Sequence, residues 1–340
     1  MMHAKPILTL AIALLAAWPC AAASQQSIED FYRGKKIDLI IGYSPGGTYD
    51  LYARLVARHL GNYIPGKPLI IPRNMPGAGS RAAATCMFHA APRDGTVLAT
   101  ADQSLALQQA AGDKRMNFDT TKFIYIGNPN IENNTTATWH ASGIRTIEDA
   151  KGREVTMGAT GGSTSSQYPK AMNALLGTRF RIILGYPGGN DINLAMERGE
   201  VDGRGSNSWA SWKATRAHWL AENKINILVQ IGLKKLPELP AVPLLMELGA
   251  NADDRSLLRL LSASTAIGRP IFTTPGVPAE RVEALRKAFE AMVRDPAFVE
   301  QARKENFDID PVLGGALQKL VAEIVDMPRE QGDRLKKIIE

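Results

Sequence analysis

Cysteine and histidine are scarce in this 340-residue chain, with two and five copies. The histidines are His3, His59, His89, His140 and His218, and no pair has the spacing of a local metal motif, so no metal is expected. One cysteine, Cys20, lies in the N-terminal segment. Cleavage after Ala23 would leave Cys86 alone, and one cysteine cannot form an internal disulfide. No apolar run is long enough to span a bilayer. None of the glycine loops ends in the Gly-Lys-Ser/Thr of a P-loop. The formal charge is +6, but Lys and Arg are scattered and not interleaved with aromatics. That excludes a nucleic-acid footprint and leaves a weak general attraction for anions.

The N-terminus reads as a targeting signal. His3 and Lys5 precede an apolar run over 7–18, followed by Ala21, Ala22 and Ala23 as the small-residue cleavage site. Residues 1–23 are therefore expected to be a signal peptide, and the mature protein to be exported to the periplasm. Trp18-Pro19 before Cys20 is a poor lipidation context, which favours a soluble product. Losing Lys5 lowers the charge from +6 to +5.

The rest of the chain, in a sequence 45% hydrophobic, is long enough for two compact lobes. Apolar runs at 37–41, 69–71 and 97–100 predict buried strands. Leu51, Leu55, Val56 and Leu60 at helical spacing and the alanine-rich 80–90 predict helices between them. A second set follows, with strands at 155–157, 182–184, 201–203 and 225–231 and helices at 167–176 and 191–198. Strands alternating with helices predict parallel α/β sheets. From Pro278, which suits a helix start, the chain is helical and is expected to return to the first lobe. The expected lobes are 24–128 plus 265–340, and 129–264.

Two segments repeat one arrangement: LIIGYSPGGTYDLYARL at 39–55 and IILGYPGGNDINLAM at 182–196. Each places Pro-Gly-Gly between a strand and a helix start. Ligands of open α/β sheets bind at that edge, where the first helical N–H groups are unpaired and the helix dipole is positive. Glycines let the backbone approach a bound group closely. Ser44, Thr48 and Tyr49 add hydroxyls, and Asp50 either caps the helix or meets a donor on the ligand. The fitting guest is a carboxylate or phosphate. One such turn could equally be a tight βα connection. Two with the same flanks, joined by a third loop at 158–166 carrying Ser163, Thr164, Ser165 and Ser166, favour binding in a cleft. GAGSRA at 77–82 is a weak dinucleotide fingerprint, set aside because the first βα turn carries Pro-Gly-Gly instead. Cys86 and His89 are spaced three apart, but the apolar surroundings of Cys86 suggest a buried structural thiol. Trp209 and Trp212 serve either the cleft mouth or a helix face.

In order and spacing, LIIGYSPGGTYDLYARLVARHL, NMPGAGS, APRDGTVLAT, GATGGSTSSQY, GYPGGND, MERGEVDG and KLPELPAVPLLMELG resemble the solute receptors of tripartite tricarboxylate transporters, the Bug family. The resemblance covers about 31–339. It implies a type II periplasmic binding protein fold, two α/β lobes around a ligand cleft, and a small carboxylate held between them. A carboxylate would meet the loop matched by Ser44 to Asp50. The other lobe would contribute loops matched by Thr160 to Ser166 and Tyr186 to Gly189, and the region after Asp202. The loaded receptor would dock on a membrane permease. The chain departs from the family at Thr48 and Tyr49, where small residues are usual, at Gln167 in place of His, and at Pro187 in place of Lys. GRPIFTT at 268–274 is also unusual.

The expected ligand-binding set is Ser44, Pro45, Gly46, Gly47, Thr48, Tyr49, Asp50, Gly77, Gly79, Asp102, Thr160, Gly161, Gly162, Ser163, Thr164, Ser165, Ser166, Tyr186, Gly188, Gly189, Asp202 and Ser206. No catalytic residue, cofactor or nucleic acid is expected, and the chain is expected to be a monomer. Neutral donors and helix ends are expected to hold the anion without a buried arginine. Two alternatives remain open: a receptor that presents its ligand to a membrane sensor kinase, and an enzyme on the same fold.

Overall fold

The structure is a computed structural model that describes Met1, residues 26–131 and residues 133–339. The signal-peptide expectation lies outside the described residues, apart from Met1.

Eleven strands are described: β1 (Lys36–Ile41), β2 (Leu69–Asn74), β3 (Val97–Thr100), β4 (Ile124–Asn128), β5 (Asn134–Trp139), β6 (Val155–Ala159), β7 (Phe180–Leu184), β8 (Gly203–Ser208), β9 (Ile225–Ile231), β10 (Ile271–Thr273) and β11 (Val312–Leu313). They form two sheets, ordered β11-β4-β10-β3-β1-β2 and β7-β6-β8-β5-β9. β1 pairs in parallel with β2 and β3, and β6 pairs in parallel with β7 and β8. β5 is antiparallel to β8 and β9, and β10 is antiparallel to β3 and β4. These are the first strands the chain makes after crossing from one sheet to the other. A chain that leaves one sheet at its carboxyl edge enters the next from the same cleft side, and so runs against its neighbours. Two sheets with this order make the type II periplasmic binding protein fold, two α/β lobes around a cleft.

The first sheet is apolar in the way a sheet covered on both faces must be. Ile37, Leu39 and Ile41 of β1 are fully buried, with Leu55 and Val56 of helix Thr48–Leu60 on one side. Leu285 and Phe289 of helix Ala279–Arg294 join the same cluster. In the second sheet Ile192, Met196, Trp212 and Trp219 pack on Ala137. A third cluster runs from Leu107 and Phe272 to Met157, Tyr168 and Leu261, so one apolar core continues behind the cleft.

The second sheet departs from the expected pattern. β8 runs over Gly203–Ser208, not 201–203, and β5 was not anticipated. Both are polar yet fully or almost fully buried. Their hydroxyls are satisfied by neighbouring carbonyls: Thr135 Oγ1 donates to Asn207 O at 3.0 Å and Thr136 Oγ1 to Gly205 O at 2.9 Å. The helical tail also divides. Helices Ala279–Arg294 and Gly314–Val325 pack on β4, as expected of a return to the first lobe. Helix Arg329–Ile339 instead lies against helix Thr164–Leu176 of the second lobe, where Lys170 Nζ donates to Ile339 O at 3.0 Å.

Candidate functional site

β1 ends at Ile41 and the chain turns through Ser44-Pro45-Gly46-Gly47 into helix Thr48–Leu60. Gly46 has φ +84°, a region that favours glycine, and Gly47 caps the helix with no side chain to satisfy its first N–H groups. β7 ends at Leu184, and a similar turn leads to helix Gly189–Glu197, capped by Gly188, again without a side-chain cap. The two Pro-Gly-Gly turns face each other across the cleft. Ser44 N–H donates to Pro187 O at 3.4 Å, and Ser44 Oγ donates to Asp191 Oδ2 at 2.7 Å. A Cβ on Gly47 would lie 3.8 Å from Gly189 N, and one on Gly188 would collide with Ser44 Oγ. The repeat therefore lets two loops meet with no side chain between them.

The third loop sits beside them. Ser163 caps helix Thr164–Leu176 by accepting from Ser165 N–H. Its hydroxyls bond mainly to the loop itself: Ser163 Oγ donates to Thr160 O at 2.9 Å and Thr160 N–H donates to Ser165 Oγ at 2.9 Å. Ser166 Oγ donates to Ser163 O at 2.9 Å. These groups shape a wall more than they offer free donors.

Between the loops lies a cavity of about 70 Å³. Its lining includes Gly46, Gly47, Thr48, Tyr49, Asp102, Thr160, Ser163, Thr164, Ser165, Gly189 and Ser206. It also includes two arginines that the sequence reading did not anticipate, Arg204 and Arg269, each 5% exposed. Arg204 comes from β8. Its Nε donates to Ser206 O at 3.0 Å, and its Nη1 to Gly189 O at 3.0 Å and Asn193 Oδ1 at 2.8 Å. Its guanidinium lies 5.5 Å from the Trp212 ring centre. Burial, with the neighbouring Arg216 cation, pushes Arg204 down to about 9, still a cation at neutral pH. Arg269 follows Gly268 at the return to the first lobe. Its Nη2 donates to Ser208 Oγ at 2.6 Å, and its guanidinium sits 4.4 Å from the Tyr52 ring centre.

Two buried arginines thus line the cleft, where only neutral donors and helix ends were expected. The signal for Arg204 was present in Gly-Arg-Gly-Ser-Asn-Ser, but its low β propensity hid the strand.

The family described as "Tripartite tricarboxylate transporter family receptor" matches residues 52–340. The chain belongs to that family. It is 27% identical over 308 residues, 88% of this chain and 86% of the relative, to a UPF0065 protein in the gbd 5' region of Cupriavidus necator. Among solved structures it resembles the periplasmic binding protein BugD, with TM-score 0.71, 19% identity, and 91% and 99% of the two chains covered. It also resembles MatC from Rhodopseudomonas palustris with bound malate, with TM-score 0.69, 18% identity, and 90% and 99% covered.

In this tripartite tricarboxylate transporter receptor the remaining expected residues fall outside the cavity lining. Asp50 is 2% exposed and turned inward, accepting from Gly46 N–H at 3.0 Å, Arg54 Nε at 2.9 Å and Asn74 Nδ2 at 2.8 Å. Burial alone would raise its pKa, but these hydrogen bonds outweigh it and lower the carboxyl below its usual range. Asp202 Oδ2 accepts from Thr156 N–H and Oγ1, tying the approach to β8 onto β6. Tyr186 packs beside Ile192, and Ser44, Pro45 and Gly188 form the lips. Gly77 and Gly79 shape the turn before helix Arg81–His89, and Gly79 meets the Gly162 carbonyl of the other lobe with no room for a Cβ. Gly161, Gly162 and Ser166 line a second cavity, of about 230 Å³, with Arg81 and Gln108. That space lies behind the 158–166 loop, away from the Pro-Gly-Gly helix starts.

Asp102 does line the cavity between the loops, but its oxygens are occupied. Tyr43 Oη donates to Oδ2, and Ser104 N–H and Oγ donate to Oδ1. Burial raises its pKa despite these bonds. Cys86 is a half-buried free thiol, more open than the sequence suggested, and His89 Nε2 is 2.7 Å from Asn117 O. Trp212 is fully buried and donates to Thr135 Oγ1 at 2.8 Å, which makes it a helix anchor. Among the described residues no group of three His, Cys, Asp or Glu comes together for a metal.

Proposed function

We propose that this receptor captures a small carboxylate in the cleft between its two sheets and delivers it to a membrane permease of the tripartite tricarboxylate type. The carrying observation is the meeting of the two Pro-Gly-Gly helix starts over a polar cavity. Two uncapped helix N-termini present unpaired N–H groups and positive potential to one small space. The malate held by MatC supports a carboxylate guest. The proposed lobes are 24–128 plus 265–340, and 129–264. The change of sheet between Asn128 and Asn134, and again between Ile231 and Ile271, supports those limits.

Receptors of this family are periplasmic binding proteins, and we place the mature chain in the periplasm, cut near Ala23. No helix among the described residues is long and apolar enough to cross a membrane. The ligand enters with the lips apart, and closure buries it. The permease then reads the closed shape. Presentation to a sensor kinase would use the same binding chemistry.

Thermal-shift screening against mono-, di- and tricarboxylates, amino acids and nucleotides tests the reading. A ligand at one hundred times its dissociation constant adds about 2.7 kcal/mol to stability. A selective shift with one carboxylate class is expected. A shift with nucleotides alone would overturn it. Uptake by a deletion strain, set against transcription of neighbouring genes, separates transport from signalling.

A further inference from the structure

Arg204 has more donors than its surroundings use. A guanidinium carries five N–H groups. Nε and Nη1 spend theirs on Ser206 O, Gly189 O and Asn193 Oδ1, all neutral. The described residues give Nη2 no hydrogen-bond acceptor, and no carboxylate among them pairs with the guanidinium. The largest charge effect on it is that of the like-signed Arg216, with Tyr43 acting in the opposite direction. A buried cation without a counter-charge is costly to keep, so its retention asks for an anion that arrives from outside. The same cavity holds one more donor without an acceptor, Asn207 Nδ2, on a buried residue. The one acid in the lining, Asp102, accepts from Tyr43 and Ser104, and among the described residues it forms no ion pair with Arg204.

We propose, resting on the receptor reading above, that Arg204 is the counter-charge for the ligand carboxylate. It receives the anion on Nη2 and makes the cleft selective for ionised acids over their neutral amides. The second-lobe wall at β8, in addition to the glycine helix starts, then carries the charge recognition. Trp212 beneath the guanidinium and the Gly189 carbonyl beside it hold the fork in place, so the two Nη2 protons point from a fixed base.

The test is titration calorimetry on the purified receptor with succinate and malate, each paired with its diamide. The wild-type chain is expected to bind at least one acid at least about a hundredfold more tightly than its amide, a charge-assisted preference. Arg204→Gln is expected to lose about that factor for the acid and to bring acid and amide close to parity. An acid-to-amide ratio unchanged in Arg204→Gln overturns the assignment while leaving the receptor reading intact. Failure of the wild-type chain to bind any acid of the carboxylate panel sinks the receptor reading and this assignment together. Should Arg204→Gln unfold in circular dichroism, Arg204→Lys carries the test. It keeps the charge without the fork, and is expected to retain the preference for acid at about tenfold lower affinity. Acid affinity unchanged in Arg204→Lys would then overturn the fork's role.

Discussion

Ser44 Oγ donates to Asp191 Oδ2 at 2.7 Å, joining residues 147 positions apart in sequence and in different lobes. It is a hydrogen bond to a carboxylate acceptor across the two lips, so in the proposed closure it would favour the closed state alone. Bonds of this kind contribute about 1.5–3 kcal/mol. Ser44→Ala is expected to weaken carboxylate binding by about 10- to 100-fold, mostly through faster release, with the ligand-free melting temperature nearly unchanged. Stopped-flow release rates and calorimetry read both quantities. Unchanged release would mean that the contact is incidental.

Gly188 tests the same closure from the other lip. Its φ of −170° is extended backbone that any residue adopts, so Gly188→Ala does not strain the second lobe. The new Cβ collides with Ser44 Oγ only when the lobes meet. Ser44 can rotate away, but it then gives up Asp191. The variant is expected to fold within about 0.5 kcal/mol of wild type and to lose ligand-induced compaction in small-angle scattering. The double variant Ser44→Ala/Gly188→Ala should recover part of that compaction, a non-additive pair. Compaction equal to wild type in the single variant would show that the lips do not meet on closure.

Asp50 lies outside the cavity lining, buried against the turn it supports. Its side chain is 3% exposed and accepts three hydrogen bonds that organise the Gly46 turn. Asp50→Asn is expected to cost about 1–3 kcal/mol in denaturant unfolding, and to leave acid-to-amide selectivity untouched. The pH dependence follows from the sign of its shift. Its folded pKa is lowered, so its stabilisation is present above the unfolded value of about 3.9 and is lost as pH falls through the lower folded value. The wild-type chain should therefore lose more stability than Asp50→Asn on acidification below about pH 4. Parallel pH curves for the two proteins would contradict this role.

What the sequence made legible was local. β1, with its apolar run, and the glycine turn at 45–47 could be read because burial and positive φ leave composition marks. That the second Pro-Gly-Gly would face the first is a fact of lobe pairing, and no short-range pattern encodes it. β8 escaped for a different reason. Gly-Arg-Gly-Ser-Asn-Ser has the composition of a loop, and it becomes a strand because β5 and β6 supply its ladders. Arg204 was lost with it. The hydroxyls of 163–166 were conspicuous in the sequence, yet several close the loop on itself.

Tyr49 is the departure from the family pattern that bears most directly on ligand size. Its hydroxyl accepts from Gln103 N–H at 3.0 Å and donates to Gly268 O at 3.1 Å. Its ring lies 4.7 Å from that of Tyr43, centre to centre, so it walls the cavity and touches the return crossing at once. The two roles separate by substitution. Tyr49→Phe keeps the wall and leaves two buried backbone groups without a partner, so it should cost about 1–3 kcal/mol of stability with ligand size preference unchanged. Tyr49→Ser removes the wall. Binding across a homologous series of α,ω-diacids should then shift to a longer optimum. Each extra buried methylene is worth about 0.8 kcal/mol, or roughly fourfold in affinity, once space exists for it. If the optimum stays at the wild-type length in Tyr49→Ser, another part of the wall sets the limit. The Tyr49 side chain would then matter only for holding Gln103 to Gly268.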